Sequence, residues 1–125
     1  MTDFARLRTR FLRDPLPARL GALAADLGRL SSTATHPAHN RVVETLLEQA
    51  RRFVEWTAAE TSVSTAAELV DLQLILTAWL HAWPEAQASG SLRAALAAEA
   101  GHWSDRVLEL SGLLNEDAAA AQPAG

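Results

Sequence analysis

The feature that most constrains this chain is the run from Thr65 to Trp83, TAAELVDLQLILTAWLHAW, the longest apolar stretch in the sequence. Leu69, Leu72, Leu76, Trp79 and Trp83 recur at alternating steps of three and four residues, which lines them along one side of an α-helix. Ile75, Ala78, Leu80 and Ala82 widen the stripe, and only Glu68, Asp71, Gln73, Thr77 and His81 interrupt it. A helix this apolar has to be covered on most sides, which predicts a central place in a helical bundle. Thr65 followed by Glu68 predicts a capping box at its start. Pro84, which has no N–H to continue the helix, predicts its end. Gln73, Thr77 and His81 recur every four residues as a polar line, either a solvent seam or a buried polar contact with a partner.

The rest of the chain repeats the pattern. Residues 3 to 13 place Phe4, Leu7, Phe11 and Leu12 on one face and Arg6, Arg10 and Arg13 around the other, a short amphipathic helix. Asp14 reads as the N-cap of a second helix that reaches about Leu30, with Pro15 and Pro17 confined to its first turn. A third runs from Pro37 to about Glu60 with its seam at Val43, Leu46, Ala50, Phe53 and Thr57. Its wet face holds the four-residue charge pairs Glu48–Arg52 and Arg51–Glu55, read as solvated helix support. The last, capped by Ser89 or Ser91, carries Leu92, Leu96, Ala100, Trp103, Val107, Leu110 and Leu114. No segment alternates with period two. The predicted fold is therefore all-α: an antiparallel up-down four-helix bundle with a short additional N-terminal helix, one domain over residues 1–114. Residues 115–125 hold nothing large and apolar to bury, which predicts a disordered tail.

Composition excludes more than it assigns. There is no cysteine, so no disulfide framework, thiol nucleophile or cysteine-ligated zinc site. All eleven basic residues are arginine. Residues 1–30 hold six arginines against three aspartates, while the remainder holds five arginines against twelve acids. The N-terminus lacks the apolar run of a secretion signal, and the central helix, ending at Pro84, reads as too short and too interrupted to span a bilayer. The expectation is a cytoplasmic protein with no membrane association.

No catalytic, cofactor or metal motif stands out. Glu99 and His102 have the Glu-x-x-His spacing of bundle metal sites, but no second such pair exists, and His36 with His39 lacks a third ligand. No phosphate-cradling glycine loop or nucleophile elbow is present. Nucleic-acid binding would rest on Arg6, Arg8, Arg10, Arg13 and Arg19 alone, with no interleaved aromatic platform and an acidic body behind them. Three surfaces remain as candidates. Gly21, Ala25 and Gly28 form a small-residue stripe suited to a close helix contact, within the bundle or across a homodimer axis. Trp79, Trp83 and His81 would line a ligand pocket at the Pro84 end. Phe4, Leu7 and Phe11 with Arg6, Arg10 and Arg13 would dock on the chain's own bundle or on a partner.

The segments FVEWTAAE (53–60), AELVDLQ (67–73) and WSDRVLELSGLL (103–114) resemble small uncharacterised proteins of cyanobacteria. That resemblance implies a bacterial cytosolic setting and transfers no active site. The leading expectation is a non-enzymatic interaction or assembly module that carries no cofactor and binds an unidentified protein partner, with a homodimer as one form it could take. The rival is a bundle binding a small hydrophobic or cyclic ligand beside Trp79 and Trp83, and the most remote is a metal-dependent enzyme.

Overall fold

Every regular element in this computed structural model, which describes residues 3–114, is helical. Five α-helices follow one another: α1 (Asp3–Phe11), α2 (Leu16–Thr33), α3 (Asn40–Thr57), α4 (Val63–Ala86) and α5 (Gly90–Ser111). Short 3-10 turns at Pro37–His39 and Ala58–Glu60 bracket α3. The predicted tail, 115–125, lies outside the described residues. α2 packs against α3 and α5, α3 against α4, and α4 against α5, and the α2–α5 contact is the most extensive.

The helix termini depart from expectation in ways that local hydrogen bonding explains. Asp14 does not cap α2: Pro15 occupies that position with no side-chain cap, and the Asp14 carbonyl instead accepts from the Arg19 guanidinium at 3.1 Å. α4 starts three residues early because Ser62, not Thr65, is its cap, its hydroxyl accepting from the Thr65 N–H at 3.2 Å. Glu68 forms no capping box, since both its oxygens are taken by Arg106 of α5 at 2.7 and 2.8 Å. Pro84 does not end α4. It removes one donor, but helical bonding resumes beyond it with Gln87 N–H to the Trp83 carbonyl at 3.0 Å. At 24 residues α4 is therefore long and apolar enough to cross a membrane by length and composition, contrary to the estimate from the shorter run.

α5 is capped by Ser89, whose hydroxyl accepts from Leu92 N–H at 3.1 Å. It stops at Ser111 rather than Leu114 because Gly112 takes a left-handed φ of 77°, where an L side chain would be strained. On α3 the predicted four-residue charge pairs give way to Arg52–Glu55 at 3.3 Å.

The core runs along α2 rather than α4. Leu20, Leu23, Ala24, Leu27 and Leu30 are all buried there, against Val43, Leu46, Leu47 and Phe53 of α3 and Leu96, Ala100 and Val107 of α5. α4 contributes Leu69, Leu72, Leu76, Trp83 and Ala86 along one side only. With α3 and α5 as its neighbours it is covered on its inner face, and just 17% of its most apolar window is buried. The expectation that α4 is the most enclosed helix is thereby corrected.

Candidate functional site

α4 carries two stripes of the same period. The inner one meets the core. The outer one, Val63, Ala67, Val70, Leu74, Thr77 and His81, advances in steps of four and three, and every member is exposed. Val63, Val70 and Leu74 show 88%, 54% and 66% of their surface. Ala78 and Ala82 extend this face, Asp71 is its only acidic residue before Glu85, and α4 has no arginine. Single exposed apolar residues are ordinary, whereas a contiguous exposed stripe along one helix is the kind of surface found at interaction sites. The polar line splits here: Gln73 is half-buried and donates to the Arg51 carbonyl at 3.3 Å, whereas Thr77 and His81 are exposed.

Behind that face, two buried arginines lock the helix ends. Arg93 of α5 is 4% exposed and pairs with no carboxylate among the described residues. Its Nε donates to the Gln87 carbonyl at 2.9 Å, one Nη to the Ala34 carbonyl at 2.9 Å and the other to the Asn40 side chain, while its plane sits 5.1 Å from the Trp83 ring. Ala34 and Gln87 are the C-caps of α2 and α4, so the cation lies where two helix dipoles are negative. Arg19 does the corresponding work near the start of α2. It is buried and grips Glu60 through both oxygens at 2.7 and 3.1 Å, which holds the Glu60 carboxyl below its usual range.

The sequence-predicted residues fall as follows. Trp83 is fully buried, its indole N–H donating to the Asn40 carbonyl at 3.3 Å. Trp79 is half-buried beside a crevice of about 10 Å³, room for no more than a water, and His81 faces outward. Neither Trp83 nor His81 lines that crevice. Gly28 lies against α5 and Gly21 against the segment just beyond its end: a Cβ on Gly21 would stand 2.8 Å from Leu113 Cδ1, and one on Gly28 3.4 Å from Ser104 Oγ. Ala25 is turned away and exposed, and Ala24 takes its place, its carbonyl accepting from the Ser104 hydroxyl at 2.7 Å. A reciprocal bond joins the Ser31 hydroxyl to the Ala97 carbonyl at 2.7 Å.

α1 docks on its own bundle. Phe11 stacks on Phe53 with ring centroids 4.1 Å apart, near Trp56, and the Arg52 guanidinium covers the Phe4 ring at 5.2 Å. Leu7 is half-buried, and Arg6, Arg8, Arg10 and Arg13 face solvent. Arg19, counted above among possible nucleic-acid contacts, is committed to Glu60 instead. Among the described residues no group of three or more His, Asp or Glu is close enough to hold a metal; Glu99 is half-buried and His102 is exposed.

Asp26 and Gln49 escaped sequence reasoning. Asp26 is 1% exposed, its two oxygens held by Arg29 and by the Gln49 amide, the latter at 2.6 Å. Burial pushes its carboxyl above the ordinary aspartate range, against the lowering effect of those two partners. The available signal was positional: Asp26 lies three residues after Leu23 and four before Leu30, and Gln49 three after Leu46 and four before Phe53, so both sit on inward faces. No match to this chain is found among protein-family models, curated proteins or solved structures.

Proposed function

We propose that the protein is a non-enzymatic helical-bundle module that assembles with a second copy of itself through the outer face of α4. The observation that carries this reading is the exposed stripe Val63, Ala67, Val70, Leu74, Thr77 and His81. It has the repeat with which one helix packs against another, and it holds no charged residue. Under a two-fold axis that crosses α4 near Leu72, it is complementary to itself. Val70 meets Leu74 of the other copy, Ala67 meets Thr77 and Val63 meets His81, so each contact pairs a larger with a comparable or smaller side chain. A partner rich in charge would gain little from a face with so few groups to answer it.

The four long helices are taken in this proposal as an antiparallel up-down bundle. Their short connections and their neighbour-to-neighbour packing, closed by α5 against α2, support that arrangement. α4 then stands at the bundle's outside edge as the natural contact helix. The chain has no cysteine, so a single introduced thiol reports only on its own position. Mixing Val70→Cys with Leu74→Cys chains under oxidising conditions should give a mixed covalent dimer. A Ser91→Cys chain, off the stripe, should stay single. Cross-linking no faster at Val70 and Leu74 than at Ser91 would reject the interface.

A further inference from the structure

A groove on another side of the molecule is built from α1, α2 and α3, with no residue of α4, and is independent of the assembly face. It is an open cleft of about 480 Å³, within the range that holds a small organic ligand. The stacked pair Phe11 and Phe53 forms its apolar floor, with Leu7 on one side and Ala22 and Ala25 on the other. Arg10 of α1 and Arg29 of α2 both line it.

The charges along the groove are not equivalent. The Asp26 carboxylate is sealed below the surface, its oxygens already bonded by Arg29 and Gln49, so it offers no acceptor to a ligand. Arg29 uses one Nη for that bond while its side chain remains 62% exposed, which leaves further donors facing the cleft and solvent. Arg10 makes no ion pair among the described residues, and Arg6 and Arg13 continue its positive face along α1. Asp14, the one exposed acid at the groove, sits at the α1–α2 corner, away from Arg29.

We propose that this groove binds an amphipathic anion, its apolar body on Leu7, Phe11 and Phe53 and its carboxylate or phosphate head held between Arg10 and Arg29. Guanidinium forks suit either head group, because two parallel N–H donors match two anionic oxygens. A cationic head would meet two arginines, with Asp14 as the one exposed acid at the groove.

The test is calorimetric titration of the full chain with dodecanoate and with dodecyl phosphate, with dodecyltrimethylammonium as the charge control and acetate as the head group alone. Binding of at least one of the two anionic amphiphiles at one per chain is expected, with neither control binding. Arg10→Ala, at an exposed position, should weaken it by about tenfold or more. Ala25→Trp, which fills the groove from an exposed site without displacing core, should abolish it. Arg8→Ala, outside the groove, should leave it unchanged. The proposal is overturned if neither anion binds at concentrations up to about 1 mM, if the cationic amphiphile binds as tightly, or if binding survives Ala25→Trp.

Discussion

At Asp26 burial and charge compete most directly. Its carboxyl is held above the ordinary aspartate range chiefly by desolvation, opposed by Gln49 and Arg29. Because the folded-state pKa exceeds the unfolded one, the folded chain binds more protons between the two values. Stability from this group is then fully present below the unfolded pKa and is lost as pH rises through the folded one. Asp26→Asn should therefore be more stable than the native chain at neutral pH, with the difference closing as pH falls below the usual aspartate range. Paired denaturant melts across pH check this; a difference that widens toward low pH would contradict it. Arg93 poses the opposite case, a buried cation satisfied by two carbonyls and an amide. Arg93→Lys keeps the charge but loses the fork that reaches three helices at once, so it should not rescue the loss of about 3 kcal/mol expected for Arg93→Ala. Chemical denaturation of both variants tests that ranking.

At the scale of the elements, α2 and α5 approach closely because small residues face each other. Ser31 and Ser104 return their hydroxyls to backbone carbonyls across the interface, and Gly28 and Gly101 leave them room. Gly28→Ala brings a Cβ to ordinary contact distance of Ser104 and should stabilise the chain by up to about 1 kcal/mol through helix propensity. Gly28→Leu should instead force the helices apart and lower the denaturation midpoint. Equal midpoints for the two would remove the close-contact account.

The identity and order of the helices were legible in the sequence, because a three-and-four repeat needs no knowledge of neighbours. Gly21 and Gly28 were legible as a stripe for the same reason. Ala25 lies off the α5 contact: helical spacing cannot separate adjacent faces that are both small. Caps were read less well, since Glu68 was claimed by Arg106, a residue 38 positions away. Period alone placed Trp79, Trp83 and His81 near one end without fixing which way each points: Trp83 is buried, Trp79 half-buried and His81 exposed.

For the whole molecule, the main question raised by the fold is what covers α4. A run apolar on all sides was read as the centre of the bundle, yet α3 and α5 cover only its inner half, and α2 holds the more enclosed place. Under the proposed assembly, the surplus apolar character of α4 is covered by a second copy rather than by the core. That account is tested most directly by the mass of the chain in solution, followed by sedimentation equilibrium over a concentration series. The native chain should rise with concentration to twice its monomer mass, while the Val70→Glu, Leu74→Glu double variant stays at one chain with the same helical circular dichroism. A native chain that remains monomeric throughout, or a double variant that still doubles in mass, would contradict the account.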